Sequence, residues 1–303
     1  MGHMKRSRSD VNFYCDGTRC SGWLYRPADD PEAPVVVMAH GFGGERTFGL
    51  PAYAERFVQR GIAAFVFDYR SFGDSDGDPR NVVHPERQVE DWLAAVARVR
   101  TLDHVDATRV ALWGTSFSGG HVFEVAARDG DVDAVVAQVP MLDGRATVLK
   151  LVRGRGLGFA ARATVASLRD GFRKLTRRSP HYVRLVGWPD QFAVLNTPDA
   201  KPGMLKLVPM EVDWRNRVAA RVLFSVPFYR PGASAADLDC PVFVAVATED
   251  DIVPPDSVEA IVDDLDDVER LRLPVGHFDV YTGDTFERLV GREASFLATH
   301  LLE

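Results

Sequence analysis

The sequence predicts an α/β fold: a mostly parallel sheet of about eight strands, with helices on both faces and a helical cap insertion. Three observations carry that expectation. Short runs of bulky apolar residues alternate with amphipathic stretches of helical period, first up to about residue 140 and again from about residue 241. One of those runs, Val110-Ala-Leu-Trp113, breaks at a cluster of small residues straight into a helical pattern. After the first part come about eighty residues, to about Phe224, with no such alternation, too many for a structureless loop.

In order along the chain, Phe13-Tyr-Cys15 and Ser21-Gly-Trp-Leu-Tyr25 bracket Asp16-Gly17, a hairpin signal. A turn-rich stretch from Arg26 to Pro34 precedes Val35-Val-Val-Met-Ala39, whose unbroken apolarity suits a strand buried on both faces. That strand runs into His40-Gly-Phe-Gly-Gly44, a loop whose backbone is free to approach another group closely. Tyr53, Phe57 and Val58 mark one face of a helix from about Leu50 to Arg60, stopped by Gly61. Ala63 to Phe67 is the next strand, followed by the acidic turn Asp68-Tyr-Arg-Ser-Phe-Gly-Asp-Ser-Asp76. Loop bracing suits those acids better than metal binding. Pro85 opens a helix to about Arg100, with Val89, Trp92, Leu93, Val96 and Val99 at core spacing. After the break at Gly114 comes another strand, Val132 to Val139. The pattern resumes with Pro241 to Ala247, a helix from Ser257 to Leu265, a strand from Glu269 to Leu273 and a closing helix from Phe286 to Leu302.

The break deserves its own physics. A strand that turns sharply into a helix throws the residue at the bend out of the sheet, and only small neighbours two places away tolerate the turn. Here Ser116 sits at the bend, Gly114 precedes it, and Ser118 stands where the G-x-S-x-G pattern has its second glycine. The following helix directs its free N–H groups and dipole at Ser116, so the N–H of Phe117 is a candidate donor to a developing oxyanion. The N–H of Phe42, on the glycine-rich loop, is the candidate for the second donor.

A serine hydroxyl needs a base, and imidazole suits neutral pH when a carboxylate holds its far nitrogen. Loops directly after strands supply these in the order Ser116, Asp250, His277. Asp251 and Asp143 are rivals for the acid. His40 precedes the serine and reads as a brace of its loop. His121 and Glu124 follow on the helix and read as packing or surface residues; Asp279 reads as a brace of the histidine loop.

His40-Gly-Phe-Gly-Gly44, Asp68-Tyr-Arg-Ser-Phe-Gly73, Gly114-Thr-Ser-Phe-Ser118, Asp250-Asp-Ile-Val-Pro254 and Gly276-His-Phe278 together resemble an α/β-hydrolase-fold serine hydrolase over nearly the whole chain. The finer pattern is similar to dienelactone-hydrolase-like and X-Pro dipeptidyl-peptidase-like esterases and to hydrolases called polyketide transferases. The resemblance implies an acid four residues before the proline of the D-x-x-x-P loop, hence Asp250; in some members the acid lies one strand earlier, which keeps Asp143 in view. It also implies a core of residues 5–140 and 225–303 with a mostly helical cap at 141–224.

The remaining expectations concern setting and partners. The 303 residues, 46% hydrophobic and 26% charged, suffice for one large core. Met1-Gly-His-Met4 looks like an expression scar. There is no secretory apolar core at the start and the three cysteines are odd in number, so free thiols and a cytoplasmic location are expected. No metal site stands out and no cofactor is required. Net charge is −7, yet Arg145 to Arg184 holds eleven basic residues against one acid, Asp170. That run either attracts an anionic substrate or an acidic carrier protein, or its stems merely cover apolar helix surface, the plainer reading. The expected substrate is a small-molecule ester or related acyl compound. Neither nucleic acid nor a membrane is expected as partner, and the oligomeric state is left open, a dimer included. Ester hydrolysis leads; acyl transfer, thioester hydrolysis, cyclisation and C–C cleavage use the same parts, and a peptidase or amidase and a non-catalytic binding protein are the outlying readings.

Overall fold

A computed structural model describes residues 6–28, 30 and 32–303; the Met1-Met4 segment and two positions of the turn-rich stretch, Asp29 and Pro31, lie outside the described residues. One eight-stranded sheet organises the molecule, in the order β1-β2-β4-β3-β5-β6-β10-β11. Its strands are β1 (Arg6–Cys15), β2 (Thr18–Pro27), β3 (Pro34–Ala39), β4 (Ala63–Phe67), β5 (Asp106–Thr115), β6 (Ala134–Gln138), β10 (Val242–Ala247) and β11 (Val268–Leu273). β2 pairs antiparallel with both β1 and β4, and all other pairs are parallel. The first hairpin turns through Asp16 and Gly17, both at positive φ (48° and 72°), the primed turn that matches strand twist.

The pleat divides each central strand between two cores. Along β3, Val35 and Val37 pack on one face while Val36 and Met38 pack on the other. The helices α1 (Leu50–Gln59) and α9 (Gly283–Leu302) cover the second face through Tyr53, Phe57, Phe286 and Leu289. The first face is covered by α2 (Pro85–Val99), α3 (Phe117–Asp129) and α8 (Pro255–Val262), through Trp92, Phe123 and Val258. Expected and observed elements agree to within a few residues except at the start. β1 runs back to Arg6 because its outer half is an edge strand carrying polar side chains, which leaves no apolar run to read. Cys20 stands opposite Phe13 rather than Cys15, and Cys15, Cys20 and Cys240 are free thiols.

Between β6 and β10 the chain builds α4 (Gly144–Arg155), α5 (Leu157–Leu175), α6 (Ala200–Leu207) and α7 (Val222–Ser225), with a separate three-stranded sheet. That sheet, in the order β8-β7-β9, is made of β7 (Tyr182–Val186), β8 (Ala193–Leu195) and β9 (Val218–Ala219). The one acid of the basic run, Asp170, is fully buried and ties these pieces together. It accepts from the N–H of His181 (2.8 Å) and from Arg221, through the backbone N–H (2.9 Å), Nε (2.7 Å) and Nη2 (3.0 Å). On α5, by contrast, Val165, Leu168, Phe172 and Leu175 are exposed. Among the described residues no helix is long and apolar enough to cross a membrane.

Two predictions follow from buried carboxyls. Asp170→Ala leaves the Arg221 guanidinium without its partner and is expected to cost about 3–5 kcal/mol, measured by urea denaturation. Glu293, fully buried on α9, accepts from Trp113 Nε1 at 2.9 Å, and burial pushes its carboxyl up to about 8 against that hydrogen bond. Between the ordinary carboxyl range and that value the folded chain holds a proton that the unfolded chain has lost, so stability falls as pH rises. Glu293→Gln is expected to flatten that fall by on the order of a few kcal/mol between pH 6 and 9, read as the wild-type-minus-variant difference in unfolding free energy.

Candidate active site

The carboxyl ends of β3, β5, β10 and β11 carry every residue of the site, the position at which open α/β sheets bind ligands. Ser116 lies between β5 and α3 with φ 58° and ψ −117°, a conformation sterically forbidden to most side chains. The turn is held by backbone bonds on both sides: Ser116 N–H donates to Gln138 O (2.8 Å), and Met141 N–H donates to Ser116 O (2.9 Å). A Cβ on Gly114 would lie 2.3 Å from the Ser118 carbonyl oxygen, and one on Gly41 would lie 3.0 Å from Ser116 Cβ. Glycine at these two positions is what lets the bend and the His40–Gly44 loop close on each other.

Ser118 is more than a tolerated small residue. Buried completely, its hydroxyl lies 2.8 Å from Tyr69 OH and accepts from Trp92 Nε1 at 3.3 Å, while Trp92 also donates to Tyr69 OH at 2.9 Å. The departure from a second glycine gives a buried polar triangle the hydroxyl it needs. Its signal was the Asp68-Tyr-Arg70 turn together with Trp92, none of which reads as a partner of Ser118 in the sequence alone.

The structure brings Ser116, Asp250 and His277 together. Ser116 Oγ is 2.9 Å from His277 Nε2, and His277 Nδ1 is 2.6 Å from Asp250 Oδ2. With Nδ1–H donating to the carboxylate, Nε2 is left as an acceptor for the serine hydroxyl. The other oxygen, Asp250 Oδ1, accepts from the N–H groups of Ile252 (2.7 Å) and Val253 (2.8 Å), so the D-x-x-x-P turn orients the acid. Lys150 of α4 donates to the Asp250 carbonyl oxygen, a tie from the inserted segment that the sequence does not announce. Burial disfavours the charged imidazole of His277. The Asp250 charge and hydrogen bond, with Asp199 adding to them and Lys150 opposing, outweigh burial and raise its pKa above the ordinary value.

The rivals lie elsewhere. Asp143 caps α4, accepting from Ala146 N–H (2.9 Å), and pairs with Arg230 (3.1 Å); Asp251 is exposed. His40 is buried with Nδ1 2.9 Å from Gly41 O, and burial lowers its pKa. His121 is enclosed by Tyr229 (2.6 Å) and Gln88 (3.2 Å), and Glu124 pairs with Arg128 (3.0 Å). Asp279 accepts from Gly276 N–H (2.9 Å) beside His277. The acidic turn after β4 is a brace: Asp68 takes the Arg46 guanidinium and N–H, and Asp74 takes Arg46 Nη2 (2.6 Å). That clamp fixes the far end of the loop that carries Phe42.

Ser116 opens on an apolar cavity of about 390 Å³, with Phe42 and Phe117 on the same wall. The far wall belongs to the inserted segment: Leu151, Val152 and Phe159 from α4 and α5, with Leu168, Phe224 and Phe228. On the His277 side lies a much smaller cleft of about 40 Å³, bounded by Leu195, Met204 and Leu207. Neither wall is legible from sequence, because each gathers single residues from distant turns.

Comparison with known proteins places the fold. A family profile described as alpha/beta hydrolase fold matches residues 34–284. The chain is 37% identical over 297 residues to the quorum-quenching protein AidA of Acinetobacter baumannii, covering 98% of this chain and 96% of that one. It is 28% identical to the polyketide transferase af380 of Aspergillus fumigatus, over 97% and 99% of the two chains. The crystal structure of the alpha/beta hydrolase GrgF from Penicillium sp. superposes with a TM-score of 0.82 at 25% identity, covering 98% of this chain and 100% of that one. With its eight-stranded sheet, its bend after β5 and a match across most of its length, the chain belongs to the alpha/beta hydrolase fold family.

Proposed function

We propose that this chain is a serine hydrolase that opens a carboxylic ester, or a related acyl compound, through an acyl-enzyme on Ser116. The observation that carries the reading is the unbroken hydrogen-bonded line from Ser116 Oγ through His277 to Asp250 at the mouth of an apolar cavity. Ser116 Oγ attacks the carbonyl carbon as its proton passes to His277 Nε2. The imidazolium so formed is stabilised by Asp250, whose proton inventory does not change. Negative charge gathers on the carbonyl oxygen, where the N–H groups of Phe42 and Phe117 serve as donors. Neither of the two has a protein acceptor among the described residues. Collapse expels the alcohol, which takes its proton from Nε2. Water then repeats the sequence against the acyl-enzyme and restores the serine.

A second reading, transfer of the acyl group to an acceptor other than water or hydrolysis of a thioester, draws support from the relatives named polyketide transferase and thiohydrolase. Both readings require the same Ser116, Asp250 and His277 and differ only in the leaving group and acceptor. The role of the inserted segment, 141–224, as a cap over this site is part of the same proposal: it supplies most of the apolar wall facing Ser116.

Two outcomes are expected. A fluorophosphonate probe labels the wild-type chain and does not label Ser116→Ala, as read by intact mass; an unlabelled wild type, beside a reactive serine esterase control, overturns the reading. The base works only as neutral imidazole, so kcat/KM falls as pH drops through the His277 pKa. That acid limb is expected above the ordinary imidazole value, and Asp250→Asn is expected to move it to lower pH and to cut kcat by on the order of 10³-fold or more. A pH–rate profile of both chains checks it.

A further inference from the structure

A second chamber, of about 670 Å³, adjoins the apolar cavity and shares Leu151 and Phe159 with it. Its character is different. Three cations line it, Lys150, Arg155 and Arg162, against two exposed acids, Asp190 and Asp251. The two arginines are held in place by aromatic rings. Arg155 lies 4.7 Å above Phe159, Arg162 lies 4.9 Å above Phe192, and the two rings are 5.5 Å apart. Arg155 Nη1 donates to Val194 O at 3.0 Å, while Nη2 is buried with no partner among the described residues. No carboxylate compensates that charge, and burial alone pushes the guanidinium down to about 10. The corner between α4 and α5 also leaves room: a Cβ on Gly154 or Gly158 would meet nothing within 4 Å.

A half-buried guanidinium without a counter-charge is costly, and proteins supply the missing anion from a side chain or from a ligand. Arg169 and Arg177, elsewhere in the run, are exposed and line neither cavity. Arg155, half-buried, and Arg162, exposed but stacked on Phe192, present donors to a chamber that adjoins the cavity facing Ser116. Arginine is the side chain whose fork fits carboxylate and phosphate.

We propose that this chamber is an anion subsite, taking a carboxylate or phosphate carried at the far end of a substrate whose apolar portion fills the first cavity. The inference rests on the acyl-enzyme reading for the identity of the substrate, but its binding half is testable without turnover. It turns the basic character of the inserted segment from a property of its surface into a selector of substrate charge at one place.

The test uses matched pairs that differ in one remote anion. The first pair is mono-p-nitrophenyl suberate against p-nitrophenyl octanoate, the second octanoyl-phosphopantetheine against octanoyl-pantetheine. The wild type is expected to prefer the anionic member of one pair by about tenfold or more in kcat/KM. A preference in the first pair assigns a carboxylate on the acyl chain, and one in the second assigns a phosphate on the leaving half. Arg155→Gln/Arg162→Gln is expected to bring the ratio close to one, and Arg155→Lys, which keeps the charge, to retain part of it. Calorimetric titration of Ser116→Ala with monomethyl and dimethyl suberate, and with phosphopantetheine and pantetheine, reads the same preferences in the absence of chemistry. Equal affinities within both pairs, or a ratio unmoved in the double variant, overturn the anion subsite. A binding preference in Ser116→Ala beside a wild type that turns over none of the four esters overturns the acyl-enzyme reading and leaves the subsite standing.

Discussion

The left-handed backbone at Ser116 is the constraint on which the rest of the site depends. A residue with a side chain pays for φ 58° only where its surroundings over-determine it. Here they do: Gln138 and Met141 grip its backbone from β6 and the turn beyond, and Gly114 and Gly41 leave space that no other residue could leave. The bend lifts one hydroxyl clear of the sheet and starts a helix beneath it, so the Ser116 hydroxyl and the free N–H of Phe117 come from a single backbone event. Ser118, Tyr69 and Trp92 then lock the first turn of that helix from below with a polar triangle buried inside the first core.

Electrostatics at the site follow from orientation rather than from an excess of charge. Asp250 is almost fully buried, yet two N–H groups and one imidazole N–H satisfy it, and its own loop sets their directions. The same logic holds on the opposite side, where Arg46 and Asp68 neutralise each other under the glycine-rich loop. The glycine-rich loop and the Asp250 turn are thus each braced by a buried polar contact. The raised pKa of His277 is the net result of burial and of Asp250 acting in opposite senses.

Much of this was legible in the sequence, for reasons that can be stated. Strands buried on both faces, such as Val35 to Ala39 and Val242 to Ala247, are apolar without interruption, and the helices between them show their period. Ser116, Asp250 and His277 were legible because each sits on a loop after a strand, Ser116 and Asp250 after uninterrupted apolar runs and His277 after the half-exposed β11, where a short motif fixes local geometry. The rest was not, because it depends on meetings between segments remote in the chain. The triangle at Ser118, the Lys150 tie to Asp250 and the clamp of Asp170 on Arg221 join residues 23 to 100 positions apart with no local pattern to betray them. The polar outer half of β1 was missed for a different reason: an edge strand needs backbone partners, and its side chains need not be apolar.

The residues of the hydrogen-bonded line, Ser116, His277 and Asp250, and those of the apolar cavity beside it have separate origins in the chain. The first lie on loops between strands of the main sheet; most of the second lie in one uninterrupted stretch between β6 and β10. Replacing side chains on α4 and α5 other than Lys150, which holds the Asp250 carbonyl, alters the room without touching the bend, the acid turn or the histidine loop. A lineage built on this plan is therefore free to change the shape of the apolar room while the bend, the acid turn and the histidine loop stay unchanged, the division of labour that lets a single scaffold diversify.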